Sequence, residues 1–437
     1  MRWMKKLVVL MGIFIIGVLP SVKAEEVKEA TVAGTIVDEA GQALIAQVVF
    51  YNDASLMRLN TDLLGRYSTK LPLGDYTMEV SKGSEYEIKD VTVSVEDRRA
   101  KYIEPVVLKQ LYETDWLSGD LHQHTLSSFD GSDSPANVLL SNLAVGLDFG
   151  FVTDHNDMRA NAEFTAQPFE DFLAFAGTEV TTDLGHFNAL NFNKYLDFDV
   201  PNGEADLEPM FNQIQSDDAA LLQVNHPLRD NFKFEDMEMI ERFDLIEVWN
   251  GKALPPYVEG DSNEQTKLYW FDLLNEGIFI PMTAGSDNHD IQGNRMFLTD
   301  EGEQTEAEYF FNRRMYSGSP RTVVYAEDKG QEDVLEGLEE GHSFVTNNPL
   351  IYLSVEGAMV GETVEAGELT VEVDMQSNRE LEEMRLYLNG EVVERQAVEV
   401  LEFQQVFLMD LEAGDWVVLE VLGASGDYAL TNPVFIK

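Results

Sequence analysis

Six of the seven histidines in the chain lie at or near the ends of apolar runs that are typical of β-strands. His186 begins such a run, and the other five follow one: His122, His124, His155, His226 and His289. Neutral imidazole is the commonest side-chain ligand of transition metals, whereas imidazoles gathered without a metal would repel one another on protonation. His122 and His124 are two residues apart, so on a strand both rings point to one face and can share an ion. The pattern predicts a centre that binds more than one metal ion.

Carboxylates accompany these histidines. Asp287 and His289 repeat the two-residue spacing in a different strand-like run. Glu179 ends the apolar run 172–178, where burial of a carboxylate without a cation costs free energy. We therefore predict that Asp287 and Glu179 are metal ligands.

Four further residues have more than one interpretation. Asp130 is either a ligand or a turn residue beside a glycine. His186 is either a ligand or a hydrogen-bonded core histidine. We expect Asp154 to orient an imidazole rather than to bind metal. His342 lies outside the pattern, and we expect it to be structural.

The candidate ligands are carried by a region, about 112–348, in which strand-like and helix-like runs alternate. The expected strands are Leu117–His124, Leu147–His155, Phe172–Val180, His186–Phe192, Leu221–His226, Leu245–Asn250 and Ile278–Ala284. A helix is expected from Ser134 to Gly146, because a Ser-Pro pair begins it and a glycine ends it. Alternating βα units with apolar strands predict an α/β fold with a parallel sheet, closed at this length into a barrel. Such a barrel gathers the carboxyl ends of its strands at one mouth.

Both flanks of this region are β-rich. Residues 25–111 contain short strand-like runs separated by turn residues, which predicts a small β-sandwich. Residues 349–437 also alternate apolar and polar residues, which predicts a second all-β sandwich. Its expected strands are Leu369–Met375, Met384–Asn389, Val406–Leu411 and Trp416–Leu422, with a hairpin turn at Asn389 and Gly390.

The composition excludes several classes of function. The 437 residues include 79 acidic residues against 30 Lys and Arg, and the resulting net charge of −49 would repel nucleic acid and anionic membranes. The chain has no cysteine, which excludes disulfides, thiolate ligands and cysteine nucleophiles. We therefore expect no nucleic-acid partner, and the oligomeric state stays open.

The first 24 residues have the pattern of a signal peptide. Met1–Lys6 is basic, Leu7–Leu19 is apolar, and the residues that follow Pro20 suggest a cleavage site, most simply after Ala24. The apolar run is shorter than the ~20 residues that a membrane-spanning helix needs. We expect a secreted or periplasmic protein with no stable membrane span after cleavage; an uncleaved anchor is the alternative.

The candidate ligands lie in six ordered motifs: Gly119–Thr125 (GDLHQHT), Thr153–His155 (TDH), Gly177–Glu179 (GTE), Gly185–His186 (GH), Asn225–Pro227 (NHP) and Gly285–His289 (GSDNH). These motifs resemble those of the PHP (polymerase and histidinol phosphatase) superfamily, in particular the branch named after carbaryl hydrolase. Residues 25–111 resemble a carboxypeptidase regulatory-like domain, in phrases such as Gly34–Gly41 and Leu73–Tyr76. The resemblance implies a distorted (β/α)7 TIM-like barrel over 112–348, between the two sandwiches.

The same resemblance implies two or three divalent ions, which could be zinc, manganese or iron. On that template one ion is held by His122, His124, Glu179 and Asp287. Glu179 bridges to a second ion held by His226 and His186. A third ion is held by Asp130, His155 and His289.

Adjacent divalent ions lower the pKa of a shared water and clamp the attacking and leaving oxygens of an ester. We therefore expect an exported metal-dependent hydrolase, foremost a phosphoesterase, that uses a metal-bound hydroxide held by Glu179, His226 and Asp287. Three arginines follow motif histidines and are candidates for binding the anionic group of a small-molecule ester: Arg159, Arg229 and Arg295. A surface salt bridge is the alternative role for each.

Two other functions stay open. An enzyme of the same fold could hydrolyse a carboxyl or carbamate ester or an amide, and Phe129, Phe187, Trp249 and Tyr257 could supply an apolar mouth. A non-catalytic surface or carbohydrate-binding protein would instead use the flanking sandwiches, with the barrel as a scaffold.

Overall fold

A computed structural model describes residues 28–53, 55–166, 169, 172–198, 207–229, 233–234, 237–290, 295–297 and 316–437. The predicted signal peptide, residues 1–24, lies outside these residues. Within the described ranges, no helix combines the length and the apolar character of a membrane span. The fold is mixed α/β, with many strands and few helices.

The amino-terminal part of the chain forms two sheets around one core. Its strands are β1 (Glu29–Val37), β2 (Gln47–Asn52), β3 (Ser55–Asn60), β4 (Arg66–Pro72), β5 (Gly74–Ser81), β6 (Lys89–Val95), β7 (Lys101–Tyr102) and β8 (Val106–Val107). One sheet has the order β4-β1-β7, with β8 also paired to β1, and the other contains β3-β2-β5-β6. Side chains from both sheets, such as Val32, Phe50 and Met78, are buried in a single apolar cluster.

The central part carries the predicted ligands. Its strands are β9 (Trp116–Asp120), β10 (Phe149–Phe151), β11 (Leu173–Phe175), β12 (Gly177–Thr182), β13 (Gly185–Leu190), β14 (Leu221–Val224), β15 (Leu245–Asn250), β16 (Met282–Gly285), β17 (Arg295–Phe297), β18 (Arg321–Tyr325) and β19 (Ser343–Thr346). Its helices are α1 (Pro135–Ala144), α2 (Asn161–Thr165), α3 (Glu208–Ile214), α4 (Ser262–Asn275) and α5 (Gln331–Glu339), with a 3-10 turn at Met237–Arg242. The predicted helix is α1; the side chain of Ser134 caps it, and a proline occupies its first turn.

The parallel sheet that the sequence predicts is present in two separate groups of strands. β9, β10 and β11 pair in parallel, and so do β14, β15 and β16. β12, β13 and β14 pair antiparallel instead. Only Asp183 and Leu184 separate β12 from β13, and so short a connection allows a hairpin but not a parallel crossover. The predicted strand Phe172–Val180 is divided between β11 and β12.

The carboxyl ends of several central strands approach one another. Isolated bridges join His155, beyond the end of β10, to Glu179 within β12, and Gln123, beyond the end of β9, to Asn288, beyond the end of β16. β17 instead leaves this part of the molecule and pairs with β3 at the edge of an amino-terminal sheet. Closure of the central strands into a barrel stays a prediction.

The carboxyl-terminal strands continue a central sheet. They are β20 (Leu350–Val355), β21 (Ala358–Met359), β22 (Thr363–Val364), β23 (Gly367–Leu388), β24 (Glu391–Leu411), β25 (Trp416–Gly423), β26 (Asp427–Thr431) and β27 (Val434–Ile436), with a 3-10 turn at Ala424–Gly426. β19 pairs with β26, so hydrogen bonding crosses the boundary predicted at 348–349. The domain division at 111–112 and 348–349 stays a prediction. Asn389 and Gly390 have φ of 53° and 85° and form the expected hairpin turn between β23 and β24.

Candidate metal centre

All nine predicted ligands lie in one cluster. They form four overlapping groups, and within each group the donor atoms lie within 4.8 Å of one another. The groups are His124, Asp130, His155 and His289; His122, His124 and Asp287; His122, Glu179 and His226; and His155, Glu179 and His186. Strands distant in the chain thus deliver imidazoles and carboxylates to the same place.

The turn after β16 lies directly against the chain that continues from β9. Asp287 donates its backbone N–H to the carbonyl of His122 over 2.8 Å, and His124 donates its own to the carbonyl of Asn288 over 3.0 Å. Gly285 permits this approach, because a Cβ there would lie 2.4 Å from the Cβ of His122. The two motifs with two-residue spacing are therefore held side by side.

His122 and His124 direct unsatisfied nitrogen atoms at two carboxylates. The Nε2 atom of His122 lies 3.3 Å from Glu179 Oε2 and 3.6 Å from Asp287 Oδ1. The Nε2 atom of His124 lies 3.4 Å and 3.2 Å from the same two oxygens. Both nitrogens are buried and have no well-oriented hydrogen-bond partner. Buried polar atoms are rarely left unpaired, so this nitrogen and oxygen set fits divalent cations such as zinc, manganese or iron.

The remaining ligands surround Glu179 or lie nearer the rim. His186 Nδ1 lies 3.0 Å from Glu179 Oε1, so His186 contacts the cluster rather than an apolar core. His226 Nε2 is 3.5 Å from the same oxygen. Asp130 is more exposed than the other carboxylates, and its Oδ2 lies 3.2 Å from His289 Nε2 and 3.6 Å from His155 Nε2. Asp130 therefore sits at the open side of the cluster.

Glu247 orients two ligands, and our sequence analysis did not identify it. Its Oε1 lies 2.9 Å from His122 Nδ1, and its Oε2 accepts the backbone N–H of His226 over 2.9 Å and the amide of Asn250 over 3.0 Å. It is fully buried in β15, in the apolar run LIEVW. The argument that identified Glu179, a carboxylate in an apolar run, would have identified Glu247 as well.

Two buried aspartates fix the backbone around the cluster. Asp120 accepts the backbone N–H groups of His122, Ser286 and Gly318, which ties β9 to the turn after β16.

Asp154 accepts hydrogen bonds from Thr125 and from the backbone N–H of Ser128. The hydroxyl of Ser128 lies 3.1 Å from His124 Nδ1. Asp154 therefore reaches an imidazole through the loop that it holds rather than by touching the ring.

The buried carboxylates and imidazoles of the cluster shift one another's pKa values in different directions. Burial lowers the pKa of His122, but Glu247, Glu179 and Asp287 outweigh this effect and raise that pKa well above its ordinary value. Burial raises the pKa of Glu179, but contacts with His122 and other histidines hold it well below its ordinary value. Burial lowers the pKa of His124 to about 3. Glu179 and His124 are thus in the forms that bind metal, whereas His122 would have to lose a proton when a metal binds.

The predicted arginines have different surroundings. Arg229 donates to Asp287 Oδ2 over 3.3 Å and is one-quarter exposed. Arg159 is three-quarters exposed and pairs with Asp157, the arrangement of a surface salt bridge. Arg295 lies in β17, which pairs with β3, and its substrate-binding role stays a prediction. Lys252 was not predicted as a site residue. Burial lowers its pKa, the charge of Asp287 raises it, and the charge of Arg229 lowers it.

The four aromatic residues predicted to form an apolar mouth also lie in different surroundings. Phe129 is 82% exposed and stacks on the His155 ring, with centroids 4.9 Å apart. Phe187 and Trp249 are buried in the core. Tyr257 packs against Tyr428 instead. Phe129 is therefore the candidate that offers an apolar surface beside the predicted ligands. His342 lies outside the cluster, with Nδ1 3.4 Å from Glu340 Oε2.

No protein-family model matches the chain, and no curated protein matches it. Solved structures similar to the chain include a two-domain protein from Bacteroides vulgatus that contains a predicted PHP-like metal-dependent phosphoesterase. The identity is 15%, the match covers 73% of this chain and 96% of that one, and the TM-score is 0.40. Another is an amidohydrolase from Chromobacterium violaceum, with 18% identity, 42% and 92% coverage and a TM-score of 0.31.

Proposed function

We propose that the protein is an exported metal-dependent hydrolase of the PHP type, built on a distorted (β/α)7 barrel, and that its substrate is a small phosphoester. The observation that carries this proposal is the cluster of six imidazoles and three carboxylates, in which the buried Nε2 atoms of His122 and His124 face Glu179 and Asp287. Two or three divalent ions, when bound, would lower the pKa of a water molecule and neutralise charge that develops on the ester.

The ligand geometry supports a site for several ions. Glu179 belongs to two of the four groups, and each of its oxygens faces different imidazoles. A carboxylate in this position is suited to bridging two ions. We propose that His122, His124, Glu179 and Asp287 hold one ion, that Glu179, His186 and His226 hold a second, and that Asp130, His155 and His289 hold a third.

The charges around the cluster favour an anionic substrate. The chain as a whole would repel a phosphate group, but bound divalent ions reverse the local sign of the potential. Arg229 and Lys252 add two cationic groups next to Asp287. An arginine offers a planar fork that suits phosphate oxygens, so we assign Arg229 the anion-binding role and expect little from Arg159.

A carboxyl or carbamate ester is the second candidate, because Phe129 offers an exposed ring beside His155. The same ring can pack against the organic part of a phosphoester as well. The two candidates therefore differ in whether the substrate carries an anionic phosphate group, not in their contact with Phe129.

The test uses the purified full chain, loaded in turn with zinc, manganese and iron, and assayed with chromogenic phosphomonoesters, phosphodiesters and carboxyl esters. We expect chelator-sensitive turnover that is strongest with a phosphoester. His124→Ala should lower both metal content and turnover. His342→Ala removes a histidine outside the cluster and should leave both unchanged. Metal-dependent turnover of carboxyl esters alone would favour the second candidate, and turnover of neither class would contradict the proposal.

Export has a separate test. If residues 1–24 are a cleaved signal peptide, mass spectrometry of protein expressed with a functioning secretion system should find a mature chain that begins near Glu25. A mature chain that retains Met1–Lys6 would contradict cleavage.

A further inference from the structure

Lys252 brings an ammonium group to the edge of the sheet that carries the predicted metal centre. It lies in the loop that follows β15, two residues beyond the end of that strand. β15 pairs in parallel with β14 on one side and with β16 on the other. The loops that follow these three strands therefore emerge at the same edge of the sheet. These loops carry Arg229, Lys252 and Asp287.

Short contacts fix the loop that carries Lys252. A Cβ at Gly251 would lie 2.4 Å from the carbonyl oxygen of Ser286, so the loop lies directly against the turn after β16. The backbone N–H of Lys252 donates to Asn250 Oδ1 over 2.9 Å. The amide of the same asparagine donates to Asp287 Oδ2 over 3.3 Å. The backbone of Lys252 is thus held next to a predicted metal ligand.

The ammonium of Lys252 has no hydrogen bond and no ion pair among the described residues, although the side chain is half-buried. Burial lowers its pKa, and the charges of Asp287, Asp130 and Asp290 act in the opposite direction. Asp287 is buried, whereas Asp130 and Asp290 are exposed, so the ammonium lies toward the open side of the cluster. Lysine is seldom buried without a partner, and an anionic ligand would provide one here.

Arg229, the other cation at this edge, already has an anionic partner. Its guanidinium lies 3.3 Å from Asp287 Oδ2, which partly neutralises its charge. Lys252 therefore supplies positive charge that no carboxylate within ion-pair distance offsets.

The two kinds of phosphoester differ in their need for such a cation. A phosphomonoester has three terminal oxygens and a charge of about −1.5 to −2 near neutral pH. A phosphodiester has one terminal oxygen fewer and a single negative charge. The additional oxygen and charge are matched by an additional donor, and an ammonium offers three N–H groups around a compact positive charge.

We propose that Lys252 binds a terminal oxygen of the substrate phosphate and thereby selects phosphomonoesters over phosphodiesters. This inference rests on the proposed function and names the class of phosphoester that the site takes. A diester would place an organic group where the third oxygen of a monoester meets the ammonium. Lys252 would then remain half-buried without a partner, which costs free energy.

The test measures the binding of two compounds that have no ester bond, so it does not depend on turnover. Phenylphosphonate has the three terminal oxygens of a monoester, and methylphenylphosphinate has a methyl group in place of one of them. The full chain is loaded with manganese, its metal content is determined, and calorimetry gives the Kd of each compound. Lys252→Met and Lys252→Arg are compared with the wild type. Lys70→Met, at an exposed position of β4, is the matched control.

We expect the wild type to bind the phosphonate at least about tenfold more tightly than the phosphinate. Lys252→Met should weaken phosphonate binding by about tenfold to a hundredfold, as expected for the loss of a hydrogen bond between charged groups. The same variant should bind the phosphinate like the wild type. Lys252→Arg keeps the positive charge and should retain most of the preference, and Lys70→Met should retain all of it.

The outcomes separate this inference from the proposed function. Phosphonate binding that Lys252→Met leaves unchanged, an equal loss for both compounds, or no binding of either would overturn the inference, even in a protein that hydrolyses phosphoesters. A preference for the phosphonate that depends on Lys252, in a protein that hydrolyses no ester, would support the inference and contradict the proposed function.

Discussion

Substitution of Glu247 tests most directly whether buried contacts around the predicted ligands orient them for metal binding. It touches no substrate in our proposal and acts through the ligands that it orients. Its carboxylate faces three donors: His122 Nδ1, the backbone N–H of His226 and the amide of Asn250. Because a carboxylate only accepts, the contact with Glu247 keeps a proton on His122 Nδ1, so Nε2 is the nitrogen that would lose its proton and bind a metal.

Glu247→Gln keeps the shape of the side chain but replaces one acceptor oxygen with an NH2 group. At least one of the three donors then faces another donor in a site that is fully buried. An unsatisfied buried donor costs about 1–3 kcal/mol. If the NH2 group turns toward His122, the proton moves to Nε2 and blocks the lone pair instead. Either outcome should lower metal affinity by about 10–100-fold, the usual effect of losing such a supporting contact.

The measurement is a competition titration against a chromophoric chelator, with metal content determined in parallel. Glu336→Gln, on the exposed side of α5, is the matched control and should bind metal like the wild type. Circular dichroism establishes that both variants are folded. A folded Glu247→Gln protein whose metal affinity stays within about twofold of the wild type would refute the reasoning, because the predicted change is at least about tenfold.

Three further predictions follow from other contacts. Gly285→Ala places a Cβ 2.4 Å from that of His122, so it should destabilise the protein by about 1–3 kcal/mol in urea unfolding and reduce its metal content. Arg229→Met should raise KM for a phosphomonoester by roughly tenfold at equal metal content, because a hydrogen bond to a charged group is lost. Arg159→Met is the control and should have little effect, because the exposed guanidinium of Arg159 pairs with Asp157. Burial raises the pKa of Glu85 from 4.5 to about 7, so the folded state binds more protons than the unfolded state between these values. Metal-free protein should therefore lose stability as pH rises across that window, and Glu85→Gln should reduce the loss in urea unfolding; an equal slope in both proteins would contradict this assignment.

The residues that form the cluster could be predicted from the sequence because metal chemistry restricts residue types so strongly. A carboxylate buried in an apolar run costs free energy unless a cation or a hydrogen-bond donor compensates it, and several imidazoles that follow apolar strands are typical of a metal site. The contacts of Asp120 and Asn225 with the cluster could not be predicted in this way. Asn225 donates to Glu179 Oε1 and to Asn188, but an asparagine before a histidine has many ordinary roles. The partners that orient a ligand become identifiable only when the fold brings the strands together.

The fold was less predictable, because local pattern does not determine which strands pair. Leu245–Asn250 was predicted with its observed bounds, as its apolar run has clear ends. The run Phe172–Val180 looked like one strand, yet it changes partners at Ala176, from β10 on one side to β13 on the other. Similarly, the expected strands Leu369–Met375 and Met384–Asn389 lie within or at the end of β23. Pairing partners far along the chain decide such cases.

Backbone conformation at two predicted ligands explains why strand periodicity alone could not have placed them in the cluster. His226 and Asp287 have φ of 31° and 51°, the left-handed region that most residues avoid. Their backbone N–H groups are held by Glu247 Oε2 and by the carbonyl of His122, each over a short bond. Such a conformation costs of order 1–3 kcal/mol for His226 and less for an aspartate, so it persists only where surrounding contacts enforce it. The same contacts that turn the chain also aim both side chains at Glu179 and His122, so the turns help to form the cluster of predicted ligands.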